Sequence, residues 1–201
     1  MVVGMPNPRA RRLALAAAVA AGAAGAALAM ALSGCSADVE PTAAPTPSTS
    51  SDAAPIFASD EEALTAAVAA YEAYAEASRT IVADGFTNPD RVDAFVTDEY
   101  APTLHEEFES FSSAGYRFDG ESTTDSTSLV SRSESSGIAE VSIYLCQDVT
   151  NVQVLDSNGN NVTPSDREDR VPSQAFLVSS DTDPRTLLVN EIVRWSGEDF
   201  C

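Results

Sequence analysis

The sequence predicts an α+β domain in which N-terminal helices pack on a curved antiparallel sheet, a cone-like arrangement preceded by a signal peptide and a disordered tether. Three observations predict it. Apolar residues recur at spacings of three and four from Leu64 to Phe111, the period of an amphipathic helix. From Tyr116 onward they alternate, the period of a strand with one face covered. Residues 1–58 follow neither rule and differ in composition from everything after them.

The first 34 residues form a separate segment. Arg9, Arg11 and Arg12 precede twenty uncharged residues from Leu13 to Leu32, and Leu32-Ser33-Gly34-Cys35 follows. A basic start, an apolar stretch and small residues before a cut are the layout of an export signal. The last four residues resemble the lipobox of bacterial lipoproteins, which implies cleavage before Cys35 and attachment of a diacylglycerol to its thiol. An uncleaved transmembrane helix is the alternative, since twenty apolar residues just span a bilayer. Twelve of the twenty are Ala, however, which inserts weakly. Arg11-Arg12 also leaves twin-arginine export open beside the general secretory route.

Residues 35–58 read as the lipidated Cys and its tether. Ser36 to Ala58 holds Pro41, Pro45, Pro47 and Pro55 among Ser, Thr and Ala, with no apolar period. Such a stretch buries too little surface to offset its ordering entropy, and as a coil reaches roughly 25 to 30 Å.

The domain is expected over residues 59–201. Ser59-Asp60-Glu61-Glu62 has the S-x-x-E form of a capping box and starts a helix at Asp60. Leu64, Ala67, Val68, Tyr71, Tyr74, Ala75, Ser78 and Val82 form its inner face, and Gly85 ends it. Asn88-Pro89 opens a short second helix through Phe95, with Pro at the first helical position. Thr97 caps a third, whose stripe is Leu104, Phe108 and Phe111 and which Gly115 stops.

Strands follow. Val141, Ile143 and Leu145 face one way while Ser142, Tyr144 and Cys146 face the other. Val152 to Leu155 and a following run flank the turn Asp156-Ser157-Asn158-Gly159, a hairpin signal. Ala175 to Val178 and Leu187 to Trp195 supply two more, for five or six antiparallel strands.

Helices first and a Trp-bearing last strand resemble the nuclear transport factor 2-like cone, shared with ketosteroid isomerases and SnoaL-like cyclases. Cys146-Gln147-Asp148-Val149, the Asp156 to Asn160 turn and Trp195-Ser196-Gly197-Glu198-Asp199-Phe200-Cys201 resemble secreted actinobacterial lipoproteins without an assigned activity. The resemblance implies a fold and no reaction. Arg as the sole strong base with abundant Ala fits a high-GC actinobacterium, and the acidity alone also fits a halophile.

Charge narrows the partners. The chain carries 31 acidic and 11 basic residues, no Lys and one His, for a net charge of -20. A nucleic-acid partner is excluded, because phosphate binding needs clustered cations. An anionic membrane surface would repel the domain, so the expected hold on the membrane is the N-terminal lipid, with two acyl chains making a stable anchor. Without Lys no Schiff base forms, and one His rules out multi-His zinc sites.

Once Cys35 is lipidated, Cys146 and Cys201 are the remaining thiols in an oxidising compartment, so a disulfide is expected. It would close a long loop and stabilise by roughly 4 kcal/mol in the chain-entropy model. No metal site and no cofactor are implied. Asp156, Asn158 and Asn160 fail as a calcium loop, because Gly159 sits at loop position 4 and Arg167 stands where a bidentate Glu belongs.

Catalysis has one weak candidate. Alternation places Glu191 in the stripe of Leu187, Val189, Val193 and Trp195, and a carboxylate on an apolar face has a raised pKa. Glu191 with Tyr71, Tyr74 and Trp195 would line a small cone pocket; a solvated face or a pairing with Arg132 accounts for Glu191 equally. His105 reads as a surface residue spaced to meet Glu109. Two functions follow. The first is a lipid-anchored extracytoplasmic domain of the cell envelope, non-catalytic, that binds an envelope protein or small molecule. The alternative is a small-molecule isomerase or cyclase with Glu191 as base.

Overall fold

A computed structural model of the protein describes residues 54–201. Cys35, the export segment and most of the tether lie outside the described residues. The architecture is α+β: two α-helices and a 3-10 helix lead, and antiparallel strands follow. Among the described residues no helix is long and apolar enough to cross a membrane.

Helix α1 spans Asp60–Ala83. Ser59 caps it as the sequence predicts, its hydroxyl accepting from the Glu62 N–H at 3.1 Å, while the Glu62 carboxylate accepts from the Ala58 N–H at 2.7 Å. The fully buried stripe is Ala63, Ala67, Tyr71, Tyr74, Ser78 and Ile81. Leu64, Val68, Ala75 and Val82 are only half-buried, so the true face is turned toward Ala63 and Ile81 relative to the expected one. Small Ala63 and Ala67 let the helix approach the sheet closely, and the larger apolar side chains flank that seam.

Packing also reaches N-terminal to the expected boundary at Ser59. Phe57 is 1% exposed within the core. Arg132 donates to its carbonyl at 2.8 Å, and the Arg185 guanidinium lies 5.7 Å from its ring centroid. The Glu134 carboxylate accepts from both the Ile56 and Phe57 N–H groups. The folded unit therefore includes residues that composition alone assigns to the tether.

The 3-10 helix spans Pro89–Phe95 and α2 spans Ala101–Ser113. Thr97 does cap, with its hydroxyl accepting from Tyr100 N–H at 3.3 Å, but it caps a turn that precedes α2. The helix itself starts at Ala101, where Pro102 falls in its first turn and fits without a donor. Phe86 and Phe118 meet Phe108 and Phe111 in one aromatic cluster at the end of the helices.

The main sheet has the order β2 (Thr123–Ser135), β3 (Ile138–Asp148), β5 (Arg170–Ser179) and β6 (Leu187–Arg194), all antiparallel. The short strands β1 (Arg117–Asp119) and β4 (Gln153–Leu155) form a separate pair. The turn at Asp156–Gly159 forms, but the run after it makes only a bridge at Asn161, and β4 pairs with β1 instead of closing the expected hairpin.

One face of the sheet is covered by the helices. Val141, Ile143 and Leu145 of β3, Ala175 and Leu177 of β5 and Leu187 and Val189 of β6 pack there with α1 and α2. β6 then breaks alternation. Phe176 opposes Glu191 while Leu177 opposes Val189, so Asn190 is an extra residue in a bulge. The phase shifts: Ile192 is buried with Val189, and Glu191 turns to the outer face with Val193 and Trp195.

Candidate functional site on the outer face of the sheet

The outer face divides into two halves. At one end Cys146 and Cys201 meet at disulfide distance, with Cα atoms 5.5 Å apart. The segment 196–201 is thereby laid over β3 and β5. Tyr144 packs against both Trp195 and Phe200 in tilted contacts, with ring centroids 4.9 and 4.8 Å away. Gly197 permits the fold-back, since a Cβ there would stand 2.6 Å from the Trp195 ring. Arg170 completes this end by holding the Cys201 carbonyl together with Asp125 and Asp148.

The other end is open. A groove of about 790 Å³ crosses the sheet there. Its floor is Phe176 and Val178 from β5 and Leu188 from β6, with Ile138 at one end. Ile138 is 46% exposed, unusual for an isoleucine on a central strand. Ser131, Ser133 and Ser142 give the β2–β3 side a hydroxyl lining. On the β6 side the wall is the turn at Thr97, Asp98 and Glu99, anchored by the Thr97 N–H donating to the Val189 carbonyl and the Thr97 hydroxyl donating to Asn190 Oδ1 at 2.9 Å.

Carboxylates stand around this floor on three sides. Glu140 projects from β3, Glu191 from β6 with Asp98 and Glu99 behind it, and Asp181 closes the strand end. Among the described residues no arginine lines the groove. The nearby cations are engaged elsewhere, Arg132 with Asp60 and Arg185 with Glu62.

The interior is different. Tyr71 and Tyr74 are buried, and Gln147 Nε2 donates to Tyr71 Oη at 2.7 Å. The recess beside them is about 20 Å³, room for one water and no more. Burial raises the pKa of both phenols, so they remain protonated across the physiological range. Burial likewise raises that of Tyr100, with Glu107 adding to the effect.

The sequence-predicted site residues are thus not brought together. Glu191 lies on the outer face, exposed and without Arg132; Tyr71 and Tyr74 lie under the helices; Trp195 packs on Tyr144 beside the disulfide. The bulge at Asn190 is the physical reason, because it moves Glu191 out of the stripe that strict alternation assigns it. His105 meets Asp93 at 2.7 Å and not Glu109. The Asp156 carboxylate is satisfied within its own turn by Asn160 and, to a lesser degree, Asn158, which hold its pKa down.

The groove floor carries no motif, but the sequence does hold a signal for it. Ala175-Phe176-Leu177-Val178 and Leu187-Leu188-Val189 are apolar without alternation. In an antiparallel sheet with helices on one face only, such runs place apolar side chains on the open face as well. No family model and no curated protein matches this chain.

Proposed function

We propose that this protein is a lipid-anchored, extracytoplasmic binding domain of a bacterial cell envelope, and that it binds through the groove on the outer face of its sheet. The observation that carries the binding half is the open apolar floor of Phe176, Val178 and Leu188, left free beside a half of the same face that the 196–201 segment covers. Apolar surface set in a concave, polar-rimmed site marks recognition. The Cys35 lipobox supports the address, and the Cys146–Cys201 pair suits an oxidising compartment. Leading helices followed by an antiparallel sheet agree with the nuclear transport factor 2-like resemblance.

A catalytic reading has less behind it. An isomerase of the cone class needs a base and a phenol donor facing one substrate cavity. Here Glu191 and the tyrosines border separate recesses, one of them the size of a water.

Native mass spectrometry of the protein released from its own membrane tests the binding reading. A ligand or partner retained by the wild type and lost in a folded Val178→Arg variant is the expected result; a groove that retains nothing contradicts it. Cys35→Ala should abolish incorporation of labelled fatty acid into the protein.

A further inference from the structure

We infer that the groove's occupant is a cationic, extended peptide segment of a partner protein, with basic side chains flanking one or two apolar ones. This rests on the binding reading above and names the chemistry of its partner. The floor of Phe176, Val178 and Leu188 takes apolar side chains, and it is bordered by Glu140, Glu191, Asp98, Glu99 and Asp181. Among the described residues no cation lines the groove, so an occupant must bring the positive charge.

The spacing favours a peptide over a compact cation. Glu140 and Glu191 stand two strands apart and are offset by the two residues between Val178 and Phe176, which sets their backbones about 12 Å from each other. One ammonium group cannot pair with both. In an extended chain, side chains two residues apart share a face about 7 Å from each other, so basic side chains at i and i+4 reach both walls while an apolar one at i+2 meets the floor. The hydroxyls of Ser131 and Ser133 and the Asn190 amide line the path for backbone polar groups.

The chain's own segments do not fit. Residues 36–53 contain Asp38, Glu40 and Asp52 with no basic residue, so the tether would be repelled. A second copy brings the same acidic excess, 31 acidic residues against 11 basic over the chain.

The test is fluorescence anisotropy of the purified full chain in detergent with a labelled Arg-Ser-Leu-Ser-Arg peptide, which presents Arg, Leu and Arg on one face when extended. Peptides with Glu for Arg, or Gly for Leu, and spermine as competitor are run beside it. The Arg/Leu peptide should bind, more weakly at high salt. The Glu-substituted peptide should not bind, the Gly-substituted one should lose at least ten-fold, and spermine should compete poorly. Glu140→Gln with Glu191→Gln keeps shape and should weaken binding three- to ten-fold. No binding, equal binding of the Gly-substituted peptide, strong competition by spermine, or a double variant within two-fold of wild type would each overturn the inference. If native mass spectrometry shows a retained ligand while the Arg/Leu peptide is ignored, this inference falls and the binding reading stands. If neither is seen, both fall.

Discussion

Gln147 Nε2 donates a hydrogen bond to Tyr71 Oη at 2.7 Å, tying the middle of α1 to the end of β3 inside the core. Both side chains are buried, and the Tyr71 phenol has a further side-chain hydrogen bond with Thr124. Tyr71→Phe leaves the Gln147 amide without that acceptor and should cost about 1 to 3 kcal/mol in urea unfolding. Adding Gln147→Leu should recover much of the loss. A double variant no better than the single would show that the pair is not the unit of stability.

The Cys146–Cys201 pair holds residues 196–201 over Tyr144. Cys201→Ser should destabilise by roughly 4 kcal/mol from the loop term. It should also free the segment, seen as faster amide exchange in residues 196–201 and a change in Trp195 fluorescence. Thiol counting on the denatured, non-reduced mature protein should give zero.

Phe57 tests where folding begins. Its ring is 1% exposed, and Phe57→Ala should cost about 3 to 5 kcal/mol by the usual core deletion. A chain starting at Ser59 should therefore unfold at lower urea than one starting at Ala54, although it keeps the Ser59 hydroxyl cap on Glu62 N–H and loses only the Ala58 N–H to Glu62 bond.

Acid stability should depend on Arg170. Its hydrogen bond lowers the pKa of Asp125, and Asp148 is lowered first by Thr150 and further by Arg170. A depressed carboxyl pKa stabilises the folded state above the unfolded value, about 3.9 for Asp, and that contribution is lost as pH falls through the folded value. Thermal melting of Arg170→Ala should lie below wild type at pH 7. The gap should narrow from about pH 4 downward; a gap constant to pH 2.5 would contradict these pairings.

How far this was legible from sequence depends on the element. The Ser59 cap, α1 and the pairing of Cys146 with Cys201 were readable because each rests on local or near-exclusive chemistry: a hydroxyl three residues before a Glu, a helical period, two thiols left over. β2 was invisible because Thr123 to Ser135 is mostly Ser and Thr, with Leu129 and Val130 its only apolar residues, and it is a strand through pairing with β3. Glu191 was misplaced because the bulge at Asn190 depends on β5 opposite it. The groove depends on where 97–99 and 196–201 come to rest, which are long-range events.

Carbodiimide footprinting of carboxylates in native membranes against the purified, stripped protein tests the outer-face groove most directly. Glu140, Asp181 and Glu191 should be labelled less in the membrane than after stripping, while the exposed Glu72 and Glu106 of the helical side should be labelled equally in both. Equal labelling of all five in the two states would contradict a groove that is occupied where the protein works.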